Sequence, residues 1–282
     1  LGGLGGIFEK LGRKCMAGLV IEEREAGKIV EIRMEFNEKN TFDFAGLQEL
    51  IRNLRVLAER EPIRVLVLSS GSDQFFSNGL DPGLFLDQKP ARVREGVELL
   101  MEASQLYFHF PVPTIARING HCLAGGAVFA IFSDYRYMVD RSARIGFSEA
   151  KIGLNFPSFP ARVLTDLVGY RNARDLLYSG DMIKPDQALA IGLVDRICPL
   201  ANLVRETEGK ALELAKLTGN SARGLKTALR DFYEPGLGNL VSNDLEHLVQ
   251  TIRTEDGQEG FRSIQENRRP SFSQSHRKID AS

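Results

Sequence analysis

The sequence has almost no net charge. Its 36 basic side chains stand against 37 acidic ones, a formal balance of −1. No global basic field exists to gather nucleic acid, and pairs such as Arg268-Arg269 read as solvated surface. Cysteine is scarce and odd in number. Cys15, Cys122 and Cys198 offer neither a disulfide framework nor metal-ligand spacing, which points to a reducing compartment rather than secretion. Long hydrophobic runs are missing as well. The longest, Leu123 to Phe132, is too short to span a bilayer and holds a glycine pair, so it reads as a buried helix. No unit recurs with a solenoid-type period of about 20–50 residues.

What is present is ordinary for a globular chain. The 282 residues are 43% apolar and 26% charged, enough for one large domain or one domain with a helical appendage. Residues 1–16 begin Leu-Gly-Gly-Leu-Gly-Gly and are expected to be a flexible extension. Residues 17–22 and 28–36 alternate around Glu25-Ala26-Gly27, the pattern of a β-hairpin. Leu47, Leu50, Ile51, Leu54 and Leu57 follow at helical spacing behind a capping Thr41 or Asp43. Ile63 to Leu68 is almost wholly apolar, as a strand covered on both faces should be. The charged stretch from Asp87 to about Glu98 suggests a mobile flap or a helix, and a helix is expected from Val97 to Phe110.

Pro113–Ile118 reads as a further strand, followed by Asn119-Gly120-His121-Cys122-Leu123-Ala124-Gly125-Gly126 and an apolar helix. The glycine pair is therefore expected where a strand becomes a helix. Helix starts leave backbone N–H groups unpaired and carry partial positive charge. Glycine there admits a ligand to the backbone, suiting the site to a developing oxyanion. The plainer reading is that the pair only allows close helix packing. Strands are expected at 134–139 and 144–147, so strands and helices alternate as in an α/β fold. Beyond Pro160 the pattern turns helical, with segments at 161–168, 171–178, 185–191, 201–217, 222–231, 240–254 and 257–267, then a loose polar tail. The boundaries expected are a core over 17–199 and a helical part over 200–282 that serves packing or assembly.

Three stretches in register resemble the crotonase family of enoyl-CoA hydratases and isomerases. They are Phe76-Ser77-Asn78-Gly79-Leu80-Asp81, Asn119 to Gly126, and Ile145-Gly146-Phe147-Ser148-Glu149-Ala150-Lys151-Ile152-Gly153. Asp134-Tyr135-Arg136, Gly192-Leu193-Val194-Asp195 and the stretch from Thr254-Glu255-Asp256 to Pro270 match too, so the likeness covers roughly residues 17–272. It implies a spiral of ββα units with a helical C-terminal part, assembled as a homotrimer or dimer of trimers. It also implies an acyl-CoA substrate, with coenzyme A entering as part of that substrate and no separate cofactor or metal. The backbone N–H groups of Leu80 and Gly125 would hold the thioester oxygen. Ser77, Asn78, Gly79, Asp81, Gly126 and Val128 would shape the substrate site.

Hydratases of this family carry two glutamates. Here one of those positions holds Val128 and the other Glu149. A carboxylate on a solvated loop is the plainer reading of Glu149 alone; in register with its motif it reads as the proton-transfer group. One carboxylate can take a proton from C2 and return it at C4, which moves a double bond from Δ3 to Δ2 and needs no water. The expected activity is thus enoyl-CoA isomerisation. The alternatives are a weak hydratase, a decarboxylase working through the same enolate, and a non-catalytic binding or assembly protein on the scaffold. Val128, Phe147 and Phe156 would raise the Glu149 pKa by desolvation. His121 reads as a packed histidine near a strand end, and Cys122 as a buried small hydrophobe rather than a nucleophile. Gly146 to Ala150 lacks the last glycine of a nucleophile elbow. The expected setting is cytoplasmic, or an organelle matrix in a eukaryote, with neither nucleic acid nor membrane as partner.

Overall fold

A computed structural model describes residues 18–140, 143–233 and 235–272. The expected extension over residues 1–16 and the tail beyond 272 lie outside the described residues. The hairpin forms as β1 (Gly18–Arg24) and β2 (Ile29–Glu35), paired antiparallel. Glu25, Ala26 and Gly27 take positive φ in the connecting turn. Helix α1 (Phe44–Ala58) follows, capped by the Asp43 carboxylate, which accepts from the Gly46 N–H.

From here a two-strand-and-helix unit recurs three times. β3 (Val65–Ser70) is followed by β4 (Phe75–Ser77) and α2 (Pro90–Phe108). β5 (Thr114–Ile118) leads to β6 (His121–Leu123) and α3 (Gly125–Phe132). β7 (Tyr135–Val139) leads to β8 (Ile145–Gly146) and α4 (Ser158–Ser179). The first strand of each unit joins a six-stranded sheet in the order β1-β2-β3-β5-β7-β9, where β9 is Arg196–Cys198; the second joins a small parallel sheet, β4-β6-β8. This is the α/β spiral that the resemblance implies.

Several details depart from the sequence reading. The strand directly before the glycine pair is β6, in the small sheet, and not the 113–118 strand. Strands of two or three residues are too short to show alternation, so β4, β6 and β9 left no periodic signal. Of the two readings of the charged stretch after Asp87, the helix is the one that forms, but it runs on without a break into the helix expected from Val97: α2 begins at Pro90, and Val93, Gly96 and Val97 already face the core. α4 breaks at Gly169 (φ 75°, ψ 153°), which separates the two helical segments expected there.

β3 is buried along its whole length, as its composition required. Val65 and Val67 pack with Ile29, Ile115, Ala211 and Leu214 beneath α6 (Leu200–Leu214), while Leu66 and Leu68 enter the main core. Charged groups pin the outer helices. Lys226 of α7 (Gly219–Arg230) reaches Asp134 at 2.5 Å and Arg230 reaches it at 2.9 Å. The buried Arg136 guanidinium donates to the Leu193 and Ser133 carbonyls and pairs with Asp195 at 3.0 Å. Two of the family-like motifs therefore meet as one structural lock. Helices α8 (Leu237–Ile252) and α9 (Glu255–Gln265) fold back over α2, α4 and the turn after β8. α5 (Pro185–Ala190) bridges α4 to β9.

Candidate active site

The first component is the turn after β4. Phe42 donates to the Gly79 carbonyl at 2.9 Å, and Asp81 donates to the Phe42 carbonyl at 2.9 Å. The peptide groups on both sides of Leu80 are tied to one residue, Phe42, and the Leu80 N–H between them finds no acceptor among the described residues. Gly79 makes this possible with φ +83°, a left-handed conformation that suits glycine.

The second component is the start of α3. Ala124, the residue before it, sits at φ 47° and ψ −124°, a strained conformation for alanine. Its own N–H is held by the Gly146 carbonyl at 2.9 Å, and Val128 donates back to it at 3.1 Å. Gly125 opens the helix with an N–H that has no acceptor among the described residues. The two readings of the glycine pair divide between the two residues. A Cβ on Gly126 would collide with Ser77, at 2.7 Å from its carbonyl oxygen, so Gly126 serves close packing. A Cβ on Gly125 would meet only Leu80 and Gly79 atoms at 3.6 Å and beyond.

The third component is Glu149, at the start of a 3-10 turn (Glu149–Ile152) after β8. The residue is half-buried as a whole, but its Oε2 is fully buried and accepts no hydrogen bond from the described residues. Burial disfavours the charged form and pushes the Glu149 pKa up to about 7, against the opposing pull of its own backbone N–H. An ordinary glutamate would be wholly ionised at that pH.

Leu80, Gly125, Val128 and Glu149 line one cavity of about 80 Å³. Leu100 and Met101 of α2 form another part of its wall, and Val241 and Leu248 of α8 with Phe261 of α9 form a third. Nearly every contact offered to an occupant is apolar. Glu149 also faces a second, shallower groove with Phe147 and Phe156, whose rings meet edge to face at 5.3 Å. Glu149 thus lines two largely apolar spaces, a setting that matches the desolvation raising its pKa.

The other expected site residues lie around this cavity, in the turn and helix that shape it. Ser77 accepts from the Gly79 N–H at 3.1 Å and is buried against Gly126. The Asn78 N–H donates to the Lys39 carbonyl. The Asp81 carboxylate accepts from Gly83 at 2.8 Å and from the Thr41 hydroxyl at 3.1 Å, fixing the chain beyond Leu80. Cys122 is buried, and its thiol pKa is pushed well up by desolvation. The His121 ring lies 5.4 Å from that of Phe75, tilted by 43°, and lines a separate cavity with Asn119 and Leu200.

Sequence reasoning missed Asn155, whose Oδ1 is buried and accepts from no described group, and Asp244 on α8. The Asp244 carboxylate accepts from the N–H groups of Ser158 at 2.7 Å and Phe159 at 2.9 Å, capping α4 from another helix. No local signal marks such a cap, because its acceptor lies far along the chain. Among the described residues no His, Cys, Asp or Glu side chains group to hold a metal ion. No described helix is long and apolar enough to cross a membrane.

Comparison with known proteins meets this geometry. A family model described as enoyl-CoA hydratase/isomerase matches residues 24–275. A Thermus thermophilus protein whose description carries the name enoyl-CoA hydratase is 33% identical over 76% of this chain and 85% of its own length. The rat mitochondrial enoyl-CoA delta isomerase 1 is 31% identical over 64% of this chain and 63% of its own. In fold, the chain is similar to the human mitochondrial delta3-delta2-enoyl-CoA isomerase, with a TM-score of 0.84 at 22% identity, covering 88% of this chain and 97% of that one.

Proposed function

The chain belongs to the enoyl-CoA hydratase/isomerase, or crotonase, family, and on that premise we propose that it moves a double bond from Δ3 to Δ2 in an enoyl-CoA. The family makes it an enzyme of acyl thioesters. The observation that supports the isomerase reading is the lining of one cavity by two unpaired amides, one raised carboxyl and a valine. In this reading the Leu80 and Gly125 N–H groups take the thioester oxygen. Removing a proton from C2 puts negative charge on that oxygen, and each aimed donor is worth about 3–4 kcal/mol in comparable sites. Glu149 takes the C2 proton and returns it at C4. Its pKa of about 7 suits both halves of the transfer, since the base must also act as an acid. Val128 stands where a second carboxylate would activate water, and the Asp244 carboxylate in the same wall is engaged by the Ser158 and Phe159 N–H groups. Asp81, Asn78 and Ser77 hold the Leu80 turn, and Gly79 and Gly126 let the two strands of the site approach.

Coenzyme A is carried by the substrate. A homotrimer or dimer of trimers is the proposed assembly, supported by large apolar side chains left exposed on the described chain: Tyr178 at 84%, Tyr170 at 72% and Leu229 at 68%. Cys122 and Cys198 are buried free thiols, which supports a reducing, cytoplasmic or matrix, setting.

The test is product analysis on a panel of 2-enoyl, 3-enoyl and malonyl-type CoA thioesters. Conversion of 3-enoyl-CoA to the conjugated 2-enoyl product as the dominant turnover supports the proposal. Dominant decarboxylation of the malonyl-type thioester, or dominant hydration, replaces it with one of the sibling reactions.

A further inference from the structure

Gly125, Val128 and Phe132 fall at i, i+3 and i+7 on α3, so they share one face of that helix. All three line the cavity. Gly125 marks the end where the thioester oxygen would sit. Phe132 stands roughly 10 Å further along the axis, at about 1.5 Å per residue. Phe159 of α4 joins it there in the lining, with ring centroids 5.3 Å apart. Both rings are backed by a third, Phe108, at 5.1 Å and 4.9 Å. The Arg230 guanidinium covers Phe108 at 3.8 Å and donates to the Phe132 carbonyl at 2.9 Å. The Phe159 N–H is held by the Asp244 carboxylate at 2.9 Å. The end of the cavity remote from Gly125 is therefore an aromatic stop braced from behind.

Size decides what fits in front of that stop. The cavity measures about 80 Å³, against ~150 Å³ for an apolar cavity that binds benzene. By that comparison it has room for about three or four carbon atoms, which the reacting carbons C1 to C4 already fill. The second groove is larger, about 370 Å³, but it shares only Glu149 and Leu154 with the first. Neither Leu80 nor Gly125 belongs to its lining, so an acyl group held by the two amides lies in the smaller space. We propose that this enzyme is selective for short acyl groups of about four to six carbons, and that Phe132 and Phe159 set the limit. The inference rests on the acyl-thioester reading of the cavity and names the chain length that reading leaves open. A longer tail must displace a ring that Phe108, Arg230 and Asp244 hold in place, and one methylene too many in an apolar pocket costs about 10–200-fold in discrimination.

The experiment measures two profiles on the full chain. One is kcat/KM for isomerisation of 3-butenoyl-, 3-hexenoyl-, 3-octenoyl-, 3-decenoyl- and 3-dodecenoyl-CoA. The other is the affinity, by calorimetry, for the saturated thioesters of the same lengths, which report the pocket whatever the reaction. Both should be highest at butenoyl or hexenoyl length and fall by about tenfold or more for each further pair of carbons. Phe132→Leu and Phe159→Leu shorten the stop, and each should raise the octenoyl-to-butenoyl ratio by about tenfold. A substitution that merely loosens the fold lowers all lengths alike and leaves that ratio unmoved. If neither variant folds, the profiles of the unaltered enzyme decide. Profiles that stay level or rise toward dodecenoyl overturn the inference while the isomerase reading stands, and so does an unmoved ratio in both folded variants. A short-chain affinity profile without isomerisation at any length upholds the inference and overturns the isomerase reading. Binding of no thioester overturns both.

Discussion

A methyl group on Gly79 would stand 3.1 Å from the amide nitrogen of Gly125. The turn after β4 and the start of α3 are therefore in direct contact, although 46 positions separate the two residues in a chain numbered 1–282. That contact brings the amide after Gly79 beside the amide of Gly125. It also explains why both positions hold glycine for different reasons: backbone conformation at the first, open space at the second.

Gly79→Ala should damage both stability and turnover. Its φ of +83° disfavours any side chain, and the added Cβ would also lie 3.0 Å from that of Ala124. The expected loss is about 1–2 kcal/mol of folding free energy and, through displacement of the Leu80 amide, on the order of 100-fold in kcat. Denaturant unfolding and steady-state kinetics on 3-enoyl-CoA check the two separately. A variant that keeps full kcat would show that the Leu80 amide is not used.

The Glu149 pKa of about 7 predicts two opposite pH trends. Activity needs the ionised base, so kcat/KM should rise with pH and level off above about 7. Stability should fall over the same range. The folded-state pKa is raised, so the folded protein binds the extra proton more tightly than the unfolded chain does. The stabilisation is complete below the ordinary glutamate value of 4.5 and is lost as pH rises through about 7. The total is on the order of 3 kcal/mol. Glu149→Gln should remove that slope, and urea unfolding at several pH values measures it. Equal slopes in both proteins would place the Glu149 carboxyl in solvent.

Val128→Glu places a second carboxyl on the wall of the cavity that Glu149 already lines. Water addition to 2-enoyl-CoA should increase by about tenfold or more if activation of water is what the site lacks. The like charge should also move the rising limb of the pH profile to higher pH. Formation of 3-hydroxyacyl-CoA across a pH series reports both. No gain in hydration by a folded variant would exclude a hydratase-like water position.

Asp244→Ala should destabilise the cavity wall without touching the reacting atoms. It removes the acceptor for two N–H groups at the start of α4, next to Pro157, Phe159 and Pro160 of the lining. The expected cost is about 2–3 kcal/mol, and Asp244→Asn, which keeps one acceptor oxygen, should cost less. Thermal unfolding of the two variants beside the parent gives the ranking.

How much of this was legible in the sequence depended on length and locality. The hairpin, α1 and β3 were readable because each runs long enough to show a period, and β3 is buried on both faces as its apolar run required. The β4, β6 and β9 strands were not, since three residues cannot alternate convincingly. Leu80, Gly125 and Glu149 stood out because each lies in a motif, and Val128 because it occupies a fixed position just after one; the fold brings all of them to one cavity. Asn155 and Asp244 escaped notice. The first reaches the cavity wall only through the turn that follows Glu149, and the second because α8 folds across the start of α4. Val241, Leu248 and Phe261 lie in segments whose pattern showed only helix; their place in the cavity wall is a tertiary fact with no local signature.

The central claim is that Glu149 moves the C2 proton of a thioester whose oxygen the Leu80 and Gly125 amides hold. The most direct measurement is the rate of 3-enoyl-CoA isomerisation in deuterium oxide by the parent enzyme and Glu149→Gln, with CoA-thioester affinity determined in parallel. The account predicts a fall of about 10²–10⁴-fold in the variant, with binding altered by less than about threefold. Isomerisation by Glu149→Gln within about tenfold of the parent would contradict it.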